Sequence, residues 1–92
     1  MLKLPQKLLR ILRGGPVDGT KYTLVTTPEN YEQGYIVVEL AGGDGLIYLF
    51  TEKEPFDDAA EDAEVQYFDY SHTLPMDEAR EWVKMDSAHR RN

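Results

Sequence analysis

The chain has 92 residues, of which 41% are hydrophobic and 11% aromatic, and its formal net charge is −7. This length fits one small domain, residues 1–92, and the hydrophobic content supports a packed core, which excludes a wholly disordered chain. The absence of cysteine excludes disulfides and thiolate sites, and the short apolar runs exclude a membrane-spanning helix.

The first thirteen residues are apolar and basic and carry no acid. Arg10 interrupts the apolar run and no small-residue cleavage site follows, so the segment is interpreted as mature sequence and not as a signal peptide. Its apolar positions fit a helical period and a strand period equally well. Pro5 favours the start of a helix, whereas the glycine-rich stretch that follows favours the end of a strand. A basic amphipathic membrane anchor is the less favoured functional interpretation.

The hexapeptide Gly14-Gly15-Pro16-Val17-Asp18-Gly19 predicts a tight loop, because glycine reaches positive φ without strain and proline fixes its own φ. It lacks the Gly-Lys-Ser/Thr ending of a phosphate-binding loop, so it is interpreted as a structural turn. A Gly-Gly-Pro-x-Asp-Gly turn between an apolar, basic run and a strand resembles a small uncharacterised domain of phage and bacterial hypothetical proteins. The resemblance extends to Tyr70. It implies that the turn follows a first strand, here residues 8–13, and that the chain has a phage-related origin; it implies no activity.

Four further segments have strand character. Residues 20–27 are rich in threonine, tyrosine and valine, and Pro28-Glu29-Asn30 ends them. Residues 34–40 and 46–52 are joined by a loop with three glycines, which predicts a β-hairpin. Residues 65–71 carry large side chains on both faces and predict another strand.

A helix is predicted to follow the last strand. Thr73 is the expected cap, Pro75 lies in the first turn, and Asp77 and Glu78 follow where a helix is electropositive. An apolar stripe includes Ala79, Trp82 and Val83, and Trp82 is expected to anchor the helix on the sheet. The predicted fold is therefore α+β: a small twisted antiparallel sheet or partly open barrel of about five strands, with one C-terminal helix.

An acidic segment separates the last two predicted strands. Seven acids lie within residues 52–64, against the single Lys53. Asp57, Asp58, Glu61 and Asp62 would bring oxygen ligands for calcium or magnesium together only if they lay on a helical turn. The EF-hand pattern is absent, so no metal site is predicted. Such a segment usually forms a solvated loop. The favoured functional interpretation is docking on a basic protein surface through Glu54, Phe56, Asp57, Asp58, Glu61 and Asp62.

Two other classes of function are less well supported. A sheet that displays Tyr22, Tyr35, Tyr48, Tyr67 and Tyr70 would offer stacking platforms for bases, but seventeen acids outnumber ten basic residues, which disfavours direct nucleic-acid binding. The only nucleophile and base candidates are Ser71, Ser87, His72 and His89, and neighbours such as Ser71 and His72 are expected on opposite faces of a strand. No catalytic residue and no cofactor is predicted.

The predicted function is that of a non-catalytic protein-interaction domain, an accessory or inhibitory factor of phage origin that docks its acidic segment on a basic partner. The alternatives are a nucleic-acid-binding module and a small divalent-cation-binding protein. Unpaired sheet edges would also permit a homodimer. The lack of cysteine fits a reducing compartment, and a cytoplasmic location is expected.

Overall fold

Five strands and two helices make up the part of the chain that the computed structural model describes, residues 4–55 and 62–85. The elements are β1 (Lys7–Arg13), β2 (Lys21–Val25), α1 (Pro28–Tyr31), β3 (Tyr35–Glu39), β4 (Asp44–Pro55), β5 (Ala63–Pro75) and α2 (Met76–Lys84). Within these two ranges, no helix has the length and apolarity needed to span a membrane. The α+β class predicted from the sequence is confirmed.

The strands form one sheet in the order β2-β1-β5-β4-β3, and the sheet curls into a half-barrel. The pairs β1–β2, β3–β4 and β4–β5 are antiparallel, but β1 and β5 run parallel. The sheet is therefore mixed, whereas a wholly antiparallel sheet was predicted. Short loops impose antiparallel pairing on neighbours in sequence, whereas β1 and β5 are distant in sequence and their relative direction leaves no trace in hydrophobic periodicity.

The elements differ from the predicted ones mainly at their ends. Residues 8–13 are a strand, as the resemblance implied, and not a helix. β4 and β5 extend beyond the predicted segments and form a long two-stranded ribbon. Helix α1 was not predicted, although Thr27 and Asn30 form a capping box around Pro28. Thr73 does not cap α2: it belongs to β5, and Pro75 is the N-cap without a side-chain hydrogen bond.

One face of the sheet carries the main core. Its buried members are Leu12, Ile36, Leu46, Tyr48 and Phe68. The Gly14–Gly19 turn covers one end of this core, because the Tyr48 hydroxyl donates a hydrogen bond of 2.7 Å to the carbonyl oxygen of Gly14. The side chain of Asp18 accepts from the Gly14 amide and closes the turn on itself. The turn is thus a structural element between β1 and β2, as predicted, and it also packs on the core.

Helix α2 covers part of the opposite face. Ala79 is fully buried against the sheet, and the ring of Trp82 packs edge-to-face on Tyr35 at a centroid distance of 5.3 Å. The prediction that Trp82 anchors the helix is confirmed. Gly45 allows the close approach, since a Cβ atom there would lie 2.8 Å from the Met76 sulfur and 3.0 Å from Ala79 Cβ.

Candidate functional site

The acidic segment, residues 52–64, includes the end of β4, the connection that follows and the start of β5. Pro55 at the end of β4 pairs with Glu64 near the start of β5, so residues 56–61 connect neighbouring positions at one end of the sheet. The carbonyl oxygen of Asp62 accepts hydrogen bonds from the amides of Gln6 and Lys7, at 2.9 and 3.2 Å, which holds the start of β5 against β1. We call this region, defined by Glu54, Asp62 and Glu64, the acidic end.

The predicted site residues are only in part covered by the structure. Glu54 and Asp62 are both exposed at the acidic end. They line the same open depression of about 370 Å³, together with Leu4, Pro5, Lys53, Pro55, Ala63 and Glu64. Phe56, Asp57, Asp58 and Glu61 lie outside the described residues. The structure therefore brings the two ends of the predicted binding segment together.

Glu64 has a structural role that the sequence did not reveal. Its side chain is only 14% exposed and lies 3.9 Å from the ammonium group of Lys53. It accepts hydrogen bonds from the hydroxyl of Tyr31 at 3.1 Å and from Nε2 of Gln66 at 3.2 Å. Since its oxygens are already satisfied by neighbours, Glu64 supports the acidic end and is a poor candidate for contacting a partner.

A buried arginine lies beneath this network. Arg10 is only 3% exposed, and its guanidinium carbon lies 5.2 Å from the centroid of the Phe68 ring. Its Nε donates to Oε1 of the fully buried Gln66, and its terminal nitrogens donate to Gln33 Oε1 and to the carbonyl oxygen of Asn30. The acceptors are neutral amides, and they tie the α1 region to the sheet. The only sequence signal for this role was the alternation of Arg10 with Leu8 and Leu12 on one face of a strand.

Three acids on β4 and β5 differ in whether a cation lies beside them. Glu52 and Asp69 both contact Arg13, at 3.4 and 2.6 Å, and the hydrogen bond to Asp69 is the main cause that raises the pKa of Arg13. Glu54 instead accepts a hydrogen bond of 2.7 Å from Tyr67. This bond is the main cause that raises the pKa of the Tyr67 phenol. Glu54 is thus oriented by a neutral hydroxyl, whereas Glu52 and Asp69 contact a cation.

Ser71 and His72 contradict the prediction that they point to opposite faces. The register of β4 and β5 shifts here, so that Ile47 faces His72 and Tyr48 faces Tyr70, which leaves Ser71 as an extra residue. This β-bulge turns the two side chains together, and Ser71 Oγ lies 2.8 Å from His72 Nδ1. The imidazole also contacts Trp82, with 6.2 Å between ring centroids.

The tyrosines predicted as stacking platforms do not share one surface. Tyr48 is fully buried in the core, and Tyr70 packs against it at 5.6 Å between ring centroids. Tyr35 contacts Trp82, while Tyr67 stacks on the guanidinium of Arg13 at 4.6 Å. Tyr22 lies on the edge strand β2. A continuous track for a single strand of nucleic acid is not formed by these five side chains.

No group of three or more histidine or acidic side chains suited to hold a metal ion occurs within residues 4–55 and 62–85. Of the acids considered for calcium or magnesium, only Asp62 falls in these ranges.

Comparison of the chain with known proteins found no family model, no curated protein and no solved structure that matches it.

Proposed function

We propose that the chain is a non-catalytic protein-interaction domain that docks residues 54–62 on a basic surface of a protein partner. The observation that carries the proposal is the geometry of the acidic end. The segment starts and finishes at adjacent strand ends, and its described acids Glu54 and Asp62 are exposed around one depression.

The surroundings separate the docking acids from the structural ones. Glu52 is paired with Arg13, and Glu64 is held by Lys53, Tyr31 and Gln66. Glu52 and Glu64 therefore each have a cation beside them, whereas the exposed Glu54 accepts from the neutral Tyr67 hydroxyl and Asp62 is also exposed. A net charge of −7 adds long-range attraction to a basic partner, which accelerates encounter and makes binding sensitive to salt.

Backbone pairing holds both ends of the segment, which lowers the entropic cost of binding. The hydrogen bonds of Asp62 to Gln6 and Lys7 fix one end, and the pairing of Pro55 with Glu64 fixes the other.

The resemblance of the Gly14–Gly19 turn to a phage-associated domain adds a biological setting to the proposal, that of a phage-derived accessory or inhibitory factor acting in the cytoplasm.

The test is affinity capture from a bacterial lysate with three baits. They are the wild-type chain, a segment variant (D57N, D58N, E61Q and D62N) and a control variant (E29Q, E32Q, E52Q and D69N). Both variants remove four negative charges, but the control acids lie on α1, just after it, and beside Arg13. We expect the wild-type and control baits to retain the same proteins, released by high salt, and the segment variant to lose them.

Two results would count against the proposal. Retention of the same proteins by the segment variant would show that residues 57–62 are not the binding surface. Equal loss from both variants would show that only the overall charge matters. Circular dichroism and urea unfolding of the three baits establish that each remains folded.

A further inference from the structure

We propose that the outer edge of β3, together with the groove between β3 and α2, binds an extended segment of a protein partner as an additional strand of the sheet. The segment is apolar at alternate positions and basic at its flanks. This inference does not rest on the proposed function, because the groove lies at the start of β4 and the acidic end lies at its other end.

The backbone of β3 is a template for strand addition. The carbonyl oxygen of Gly34 accepts from the Phe50 amide at 3.0 Å, and the Leu40 amide donates to Asp44 at 2.8 Å. Since bonded and non-bonded positions alternate in an antiparallel pair, the N–H and C=O groups of Val37 and Glu39 face away from β4. In the described part of the chain no strand lies beyond β3. Such an edge pairs readily with an extended peptide.

The opposite edge of the sheet is partly closed by the chain itself. Helix α1 follows the edge strand β2 after two residues, and Asn30 Nδ2 donates a hydrogen bond of 2.9 Å to the carbonyl oxygen of Val25. Asn30 is in turn held by Arg10 through its own carbonyl oxygen. An added strand at β2 would have to displace this contact, so β3 is the better docking edge.

A groove beside β3 supplies side-chain recognition. Its volume is about 320 Å³, and it is lined by Val37, Glu39, Met76, Ala79, Arg80 and Val83. Gly45 lets α2 pack this close to the sheet, because Met76, Ala79 and Val37 occupy the space that a side chain there would need. Alternate side chains of an added strand would point to the α2 side and into this groove. Apolar side chains at every second position therefore match it.

The charges around the groove select the kind of segment. Arg80 lies 4.0 Å from Glu39 and 3.8 Å from Asp77, and Lys84 lies 3.0 Å from Glu81, so both cations of α2 already have partners. These three acids outnumber the two cations beside the groove. Basic flanks are favoured, and a second copy of this acidic chain is disfavoured by charge repulsion.

The test is an NMR titration of the full ¹⁵N-labelled chain with synthetic peptides. The probe is Lys-Lys-Val-Thr-Val-Thr-Val-Lys-Lys. A second peptide replaces every lysine with glutamate, and a third replaces the central valine with proline, which removes a backbone donor. With the probe near saturation, we expect amide exchange at Val37 and Glu39 to slow by at least about tenfold. We expect both control peptides, and the variant Val83→Lys with the probe, to give little or no slowing.

Each remaining outcome is decisive. Unchanged exchange at Val37 and Glu39 with the probe at millimolar concentration would overturn the proposal, as would equal slowing by the proline or glutamate peptide. If amide exchange at Val37 and Glu39 slowed without peptide as the protein concentration rose, the edge would bind a second copy of the chain instead, and the proposal would be overturned. Shifts confined to Glu54 and Asp62 would support the acidic end alone. Because the peptide controls use the unaltered chain, the test does not depend on the Val83→Lys variant being folded.

Discussion

The variant Gly15→Ala is expected to lose about 2–4 kcal/mol of unfolding free energy. Gly15 has φ of +70°, a conformation that alanine adopts only with strain. An added Cβ atom would also lie 2.6 Å from Cγ of Tyr70 and 2.9 Å from the hydroxyl oxygen of Tyr48. Neither ring can move away without losing packing energy, because the Tyr48 ring is fully buried and the two rings pack on each other. Urea unfolding measures the loss.

Gly19→Ala is the matched control for this prediction. Gly19 belongs to the same turn and has φ of +86°, but a Cβ atom there would meet no atom within 4 Å. Its loss is therefore expected to be that of the backbone strain alone, about 1–2 kcal/mol. Equal losses in the two variants would mean that packing of the turn on the tyrosines contributes nothing to stability.

The second large effect is expected for Arg10→Ala, at about 3 kcal/mol of unfolding free energy. The change leaves a cavity beside Phe68 and removes the donors to Gln66, Gln33 and the carbonyl oxygen of Asn30. Faster amide exchange in α1 should accompany the loss, because Arg10 ties that region to the sheet. Urea unfolding and hydrogen exchange measure the two effects.

Arg13→Ala is the control for Arg10→Ala, since Arg13 lies on the same strand with its side chain 39% exposed. Its contacts to Asp69 and Glu52 are exposed ion pairs, for which a loss of about 0–1 kcal/mol is expected. Arg10→Lys should fall between the two, because lysine keeps the charge but not the planar fork. A loss for Arg13→Ala as large as that for Arg10→Ala would contradict the assignment of Arg10 as the buried support.

The parts of the fold that the sequence predicted are those with local signals. The hairpin of β3 and β4 was predicted from its three-glycine loop, and α2 from its acids and its apolar stripe around Trp82. The parallel pairing of β1 with β5 carries no local signal, because it joins segments separated by most of the chain. Helix α1 had a signal in Thr27-Pro28-Glu29-Asn30, but four residues fall short of a recognisable helical period.

The candidate site shows the same limit. The acidic segment is plain from composition, yet nothing in the sequence distinguishes the exposed Glu54 from the largely buried Glu64. That difference depends on Tyr31 and Lys53, which tertiary structure brings to Glu64. Ser71 and His72 were assigned to opposite faces because a regular strand was assumed, and a bulge cannot be deduced from one strand alone.

Docking through the acidic segment is tested most directly by the affinity of the captured partner for the wild-type chain, the segment variant and the control variant over a series of salt concentrations. We expect the segment variant to bind at least about tenfold more weakly than wild type, with a shallower dependence on salt, while the control variant stays close to wild type. Equal affinities of the segment variant and wild type, with equal salt dependence, would show that the acidic segment is not the docking surface.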